Sequence, residues 1–94
     1  MAKVWPDKDP NDVLDFGFDW GPLIDDTDDV VATSTAEVLT GGLVVDQHGP
    51  VIGTQKTTTW LSGGTVGPAS IRLRAVTSEG RTIDQTMILT VAER

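Results

Sequence analysis

Cysteine and tyrosine do not occur in this chain of 94 residues, and His48 is its one histidine. Without cysteine there is no disulfide, no thiolate metal ligand and no thiol nucleophile. General acid–base catalysis would have to rest on Asp and Glu alone, because one histidine in a Gly-Pro turn is a poor candidate for a base. The chain also has no P-loop and no dinucleotide-binding fingerprint. We therefore expect a protein without enzymatic activity, cofactor or metal.

Long hydrophobic runs are missing as well. No apolar stretch approaches the roughly 18 residues that a membrane-spanning helix needs. The first residues, from Met1 to Asp7, lack the apolar core of a signal peptide. Together with the absence of cysteine, these features favour a soluble protein that is synthesised in a reducing cytoplasm.

Positive charge is scarce, and it is distributed unevenly. The formal net charge is −7. Residues 1–29 hold nine aspartates against two lysines, a balance of −7, whereas residues 30–94 hold five acids against five bases, a balance of zero. A chain with this charge repels phosphate groups, so binding to nucleic acid and to acidic membrane surfaces is disfavoured. Other proteins are the expected partners.

The sequence does contain period-two alternation between short turns. Near the C-terminus, apolar residues alternate with Arg72 and Arg74 over residues 71–76, and a second alternating run covers residues 83–91. Gly80 lies between the two runs and can adopt the positive φ that a tight turn requires. This pattern predicts an antiparallel β-hairpin whose first strand has a basic outer face.

Further alternating or β-rich runs cover residues 15–20, 30–38, 43–45, 51–52 and 54–61. With the hairpin they make about seven strands, separated by turns such as His48-Gly49-Pro50. The predicted fold is all-β, an immunoglobulin-like antiparallel two-sheet sandwich formed by residues 13–94. Residues 1–12 are rich in Pro and Asp, and we expect them to be an extended N-terminal arm that is mobile in the free protein.

Side-chain alternation also predicts which residues face the core. Phe16, Phe18 and Trp20 share one side of their run, and we expect this side to face inward with Trp60 packing opposite to it. In the run at residues 30–38, the even-numbered residues are expected to face inward.

Trp5 differs from the other aromatic residues because its Pro- and Asp-rich surroundings are not expected to enter the core. An exposed tryptophan on a polar arm is a candidate anchor for a neighbouring subunit, and the alternative is that Trp5 folds back over the edge of its own domain. Asp7 and Asp9 make the same arm acidic, and the basic stripe of Arg72 and Arg74 offers the complementary charge on another copy. These five residues are the predicted partner interface.

The run Asp25-Asp26-Thr27-Asp28-Asp29 contains four carboxylates, which are the ligands that Ca²⁺ prefers. It lacks both the central glycine and the closing glutamate of an EF-hand loop. Calcium binding therefore stands as the minor alternative to a solvated connection before a strand.

Several motifs occur in an order that resembles a known family. They are Lys8-Asp9-Pro10, Asp15-Phe16, Asp19-Trp20, the stretch Thr58-Thr59-Trp60-Leu61-Ser62-Gly63-Gly64-Thr65, and Gly80-Arg81-Thr82-Ile83-Asp84. Over nearly the whole chain the sequence resembles small structural proteins of tailed bacteriophages, of the fiber–tail adaptor or neck-and-tail-associated type. The resemblance implies an immunoglobulin-like fold, no enzymatic activity, and a place in the virion between the tail or neck and its fibers. The partners would be other virion proteins and further copies of the chain in a ring.

Two other functions remain open at this point. A capsid decoration protein would have the same fold but would dock on the head shell. A carbohydrate- or receptor-binding module would stack exposed aromatic side chains on sugars, and Trp5 is the candidate for that role. The sequence favours the adaptor over both.

Overall fold

The computed structural model describes residues 2–94. Its elements are β1 (Lys3–Val4), β2 (Leu14–Asp19), α1 (Gly21–Ile24), β3 (Val31–Thr40), β4 (Leu43–Pro50), β5 (Lys56–Gly63), β6 (Gly67–Thr77) and β7 (Thr82–Val91). Four strands form one sheet in the order β1-β7-β6-β3, and three form the other in the order β2-β5-β4. The predicted all-β fold with two sheets is confirmed, and its architecture is compatible with a sandwich; all strand pairings are antiparallel except that of β1 with β7. Within residues 2–94 no helix is long and apolar enough to cross a membrane.

The hairpin of β6 and β7 has the predicted pairing and polarity. Arg74 lies opposite Asp84 on the outer side of the sheet, and every second residue of β6 from Ala69 to Thr77 is buried. Gly80 has a φ of 92°, and its N–H donates to the Thr77 carbonyl at 3.0 Å. The glycine thus closes the turn in the left-handed region that other residues rarely adopt.

The core lies between the two sheets, and β6 and β7 supply half of its buried side chains. Phe18 packs against this core with its ring perpendicular to that of Trp20, at a centroid distance of 4.8 Å. The inward orientation predicted for Phe16, Phe18 and Trp20 is confirmed. The buried apolar residues are Trp5, Phe16, Trp20, Ile24, Val31, Leu43, Leu61, Ala69, Ile71, Leu73, Ala75, Met87, Leu89 and Val91.

Two predicted strand boundaries in the middle of the chain are wrong. Residues 51–52 lie in a turn rather than a strand, and Ile52 is 95% exposed. The predicted turn at residues 48–50 is instead the end of β4, where Pro50 lies opposite Thr57. Proline has no N–H to donate, but β4 is an edge strand with a neighbour on one side only. The missing N–H therefore costs no hydrogen bond on the unpaired side, and the strand continues to Pro50.

The parity predicted for β3 is wrong at its start. A β-bulge interrupts the pairing with β6 between Val31 and Thr33. A bulge adds one residue to a strand and so changes which residues face inward. Val31 is therefore buried and Ala32 exposed, whereas the inward side predicted for Ala36 and Val38 is retained, since both pack against the core.

The N-terminal segment runs along the edge of the four-stranded sheet. β1 pairs in parallel with residues 87–88 of β7. Further along, the Lys8 N–H donates to the Thr90 carbonyl at 3.0 Å, and the Lys8 carbonyl accepts from Ala92 at 2.8 Å. These bonds join the segment at residues 2–12 to the last strand. A parallel strand of two residues shows no alternation, which is why the sequence did not predict β1.

Candidate protein-docking surfaces

Trp5 is buried, so the expectation of an exposed anchor is wrong. Its side chain is 6% exposed, and its ring lies 5.1 Å from that of Phe16. The indole nitrogen donates to the Gly17 carbonyl at 2.9 Å. A tryptophan can be buried when its indole N–H has a hydrogen-bond acceptor. Gly17 lies on the edge strand β2, and its backbone carbonyl is that acceptor. Trp5 therefore closes the sandwich and is not available to a partner.

Lys8 is a buried residue that sequence reasoning missed. Its side chain has no solvent exposure, and Nζ donates to the carbonyls of Asp9 at 2.9 Å and Gly63 at 2.6 Å. Lysine is almost never buried unless its ammonium is hydrogen-bonded, and here backbone oxygens satisfy it. No pattern in the sequence distinguishes Lys8 from a solvated lysine, because Gly63 is far away along the chain.

The two aspartates of the predicted interface differ in their surroundings. Asp7 is exposed. Asp9 accepts hydrogen bonds from the backbone N–H groups of Asn11 at 2.9 Å and Arg94 at 2.8 Å. The bond from Asn11 and, to a smaller extent, the bond from Arg94 lower the pKa of Asp9 below its usual range. Asp9 thus ties the two ends of the chain together, while Asp7 remains free to meet a partner.

The basic stripe of Arg72 and Arg74 faces solvent on the four-stranded sheet, but its charge is already paired. Arg74 forms two hydrogen bonds with the carboxylate of Asp84, at 2.7 and 3.0 Å. Arg72 lies 3.7 Å from Glu37. The bond to Asp84 and its negative charge raise the pKa of Arg74, and the reciprocal bond lowers that of Asp84. This face therefore carries charged groups without net charge.

Asp29, in the acidic run, is a structural residue. It is fully buried, and its carboxylate accepts hydrogen bonds from Ser78 Oγ at 2.8 Å, Glu79 N at 3.1 Å and Arg81 Nη1 at 2.7 Å. Burial alone would raise the pKa of Asp29, but these bonds and one from Thr77 outweigh it and lower the pKa. Among the described residues, no group of three or more His, Cys, Asp and Glu could hold a metal ion. Asp29 instead attaches the loop before β3 to the β6–β7 turn.

His48 connects the two sheets through a chain of hydrogen bonds. Its Nε2 lies 2.7 Å from Ser34 Oγ and its Nδ1 2.6 Å from Thr59 Oγ1. Ser34 Oγ donates to the Arg74 carbonyl at 2.8 Å, so it must accept from His48 Nε2–H. Nδ1 then accepts from the Thr59 hydroxyl, and burial lowers the pKa of His48. Both ring nitrogens are engaged in holding the fold.

Trp60 is 38% exposed, so the expectation that it fills the core is wrong. Alternation in β5 turns Thr57, Thr59 and Leu61 inward instead, and Thr57 Oγ1 accepts a 3.0 Å hydrogen bond from the buried Trp20 indole. A buried tryptophan needs such an acceptor, and threonine supplies it where an inward Trp60 could not. The observed side-chain parity of β5 thus places Thr57 where it satisfies the indole N–H of Trp20.

Trp60 lies in an exposed cluster on the outer side of the three-stranded sheet, here called the Trp60 face. Asp15 lies directly opposite Trp60 on β2, and Gln47 on β4. Val44, opposite Ser62, is 53% exposed. The face is defined by Asp15, Val44, Asp46 and Trp60, together with the exposed Val13 immediately before β2.

Comparison with protein families identifies the group to which the chain is related. A family model described as podophage GP4 fiber-tail adaptor protein gp77 matches residues 8–90, which is most of the chain. The chain belongs to the podophage fiber-tail adaptor family. The resemblance inferred from the sequence motifs is confirmed. No curated protein matches the chain.

The part of the adaptor domain that matches the family contains both outer faces of the sandwich. Residues 8–90 include β2 to β6 completely and nearly all of β7. Trp5 and β1 precede the matched range. The residues that could meet a partner on the two sheets are therefore part of the family domain.

Proposed function

We propose that this protein is a non-enzymatic structural component of a phage virion, which links the tail or neck to the fibers through protein–protein contacts. The family match over residues 8–90 is the observation that carries the proposal. The family is one of structural adaptors of the phage tail, so a location in the tail region of the virion follows from the same observation. The partners are tail, neck or fiber subunits, and the protein would assemble with them in the host cytoplasm.

An adaptor needs at least two separate binding surfaces, and the sandwich has two that differ in chemistry. The outer face of the four-stranded sheet carries paired charges and an apolar end formed by Val4, Pro68 and Ile88. The Trp60 face lies on the opposite side. Because the sheets pack against each other through their inner sides, both outer faces can be occupied at the same time.

We also propose that copies of the chain form a ring. Contacts between unlike surfaces of identical subunits generate a ring when the rotation between them closes. A ring would bury surface that a domain of 94 residues leaves exposed. Asp7, Asp9, Arg72 and Arg74 remain the candidate contact residues. The two arginines already have carboxylate partners within the chain, and a carboxylate of another copy would add to these ion pairs.

Imaging of labelled protein on the assembled particle tests the location. We expect density at the tail or neck. Density distributed over the head shell would contradict the adaptor and support a decoration protein instead. A protein that never joins the particle would exclude both.

The ring is tested by the double variant Arg72→Ser and Arg74→Ser, with Lys56→Ser as a control on the other sheet. Light scattering after size exclusion would measure self-association at several protein concentrations. We expect weaker association in the double variant only. Unchanged association would remove the arginine stripe from the interface.

A further inference from the structure

The Trp60 face combines exposed apolar surface with carboxylates. Trp60, Val13 and Val44 are 38%, 58% and 53% exposed. Asp15 is the cross-strand neighbour of Trp60. On β4, Gln47 lies opposite Trp60. Asp46, the residue before it, is exposed and is the extra residue of a β-bulge. Trp60, on the central strand, thus has Asp15 as its neighbour on β2, and Gln47 with the adjacent exposed Asp46 on β4.

The sheet leaves space beside the indole ring. Gly17 and Gly49 lie on either side of Thr58, one step along β5 from Trp60 on the same outer face. A Cβ added at Gly49 would meet no atom within 4 Å. Because these two cross-strand positions have no side chains, another molecule can approach the backbone there and lie against the ring.

The cations of the chain are poorly suited to bind this acidic face in a second copy. All four arginines have carboxylate partners: Arg72 with Glu37, Arg74 with Asp84, Arg81 with Asp29, and Arg94 with Asp12. Lys8 is buried. Among residues 2–94, the exposed cations without an ion pair are Lys3 and Lys56. Lys56 is on the same side of the sheet as Trp60 and lies opposite Asp19.

We propose that the Trp60 face is the docking site for a basic segment, rich in Arg or Lys, of a different virion protein. This inference rests on the proposed adaptor function and specifies the chemistry of one of its partners. A guanidinium or ammonium group would stack on the indole ring and pair with Asp15 and Asp46. The exposed valines would cover the apolar stem of the same side chain. The net charge of −7 adds a long-range attraction for a basic partner.

Site-specific photo-crosslinking in assembled particles tests this docking site. A benzophenone amino acid replaces Trp60 in one variant and Ile52 in a control variant, where the native side chain is 95% exposed and belongs to a different surface. After irradiation, mass spectrometry identifies the crosslinked peptides. We expect crosslinks from position 60 to an Arg- or Lys-rich segment of another virion protein, at a yield about tenfold higher than from position 52.

A charge reversal gives an independent measurement. Asp15→Lys is compared with Asp28→Lys, which makes the same change in net charge in the exposed loop after α1. We expect Asp15→Lys to lower the number of copies incorporated per particle by roughly tenfold, as for a central interface residue, and Asp28→Lys to leave it within twofold. Thermal unfolding of both variants shows that each is folded.

The possible results distinguish failure of the docking site from failure of the adaptor function. Crosslinks from position 60 to a second copy of this chain, or none in particles that contain the protein, would overturn the docking site but not the adaptor function. Equal incorporation of Asp15→Lys and Asp28→Lys would also overturn it. Particles that lack the unmodified protein altogether would overturn the adaptor function and this site with it.

Discussion

The indole nitrogen of Trp5 donates a 2.9 Å hydrogen bond to the carbonyl of Gly17, on the edge strand of the opposite sheet. The bond links the N-terminal segment, which is paired with β7, to β2. The Trp5 side chain thus spans the gap between the edges of the two sheets. This relationship packs the segment around Trp5 against the sandwich.

Replacing Trp5 should therefore destabilise the protein strongly. We expect Trp5→Ala to lower the free energy of unfolding by about 3–5 kcal/mol, the usual cost of removing a buried aromatic side chain. Trp60→Ala is the matched control, and because its side chain is partly exposed we expect a loss below about 1 kcal/mol. Urea denaturation followed by far-UV circular dichroism measures both. Equal losses would contradict the burial of Trp5.

A second prediction concerns acid stability. The native pKa of Asp29 is lowered, so its contribution to stability is fully present above the unfolded pKa of 3.8 and is lost as the pH falls toward the native value. Asp29→Asn should lower the unfolding temperature at pH 7 and should flatten the decline of stability between pH 5 and pH 2. Asp28 is exposed, so Asp28→Asn should change neither the unfolding temperature at pH 7 nor the acid decline of stability. A decline as steep in Asp29→Asn as in the unmodified protein would contradict this assignment.

A third prediction concerns the one histidine. Burial lowers the native pKa of His48 below its usual 6.5, so the unfolded chain binds the proton more tightly than the folded one. Stability is then fully present above pH 6.5, falls as the pH drops through 6.5, and levels off below the native pKa. Melting temperatures measured from pH 8 to pH 5 should show this decline, and His48→Gln should abolish it. An unchanged decline in that variant would show that another group is responsible.

A fourth prediction compares two glycines with positive φ. At Gly41, φ is 100° and an added Cβ would lie 2.3 Å from the Cβ of Ala69, whereas at Gly53 φ is 77° and no atom lies within 4 Å. Gly53→Ala should cost only the backbone strain, about 1 kcal/mol. Gly41→Ala adds a clash with a buried strand and should cost about 3 kcal/mol. Denaturant titrations of the two variants measure the difference, and equal costs would contradict the close approach at Gly41.

Much of the fold could be predicted because β6 and β7 are long and regular. Arg72 and Arg74 alternate with apolar residues without interruption, and the turn between the strands contains Gly80, so the pairing needs no distant information. Where strands are short or bulged, the prediction failed. The bulge between Val31 and Thr33 changes the inward side only at the start of β3. No local signal marks it, because a bulge depends on the pairing with the partner strand.

The candidate site was predicted less well than the fold. Asp7, Arg72 and Arg74 are exposed as the sequence suggested, but the two roles assigned to Trp5 and Trp60 are reversed. Trp60 lies in a β-rich run and Trp5 in a Pro- and Asp-rich segment, so the sequence favoured the wrong tryptophan for the core; a tryptophan is suited both to a core and to an interface. The choice depends on acceptors for the indole N–H, and these lie at Gly17 for Trp5 and at Thr57 for Trp20.

Composition, alternation and family motifs were enough to predict a small β domain of the fiber-tail adaptor type, without cysteine and with an excess of negative charge. Alternation, turn residues and family motifs are local properties, and they can be read without knowing which segments meet. The fold was needed to show which tryptophan is buried, that Lys8 and Asp29 are buried, and that the arginine stripe is neutralised by its own neighbours. These outcomes depend on contacts between distant segments, because the free energy of a buried polar group is set by the partner that satisfies it.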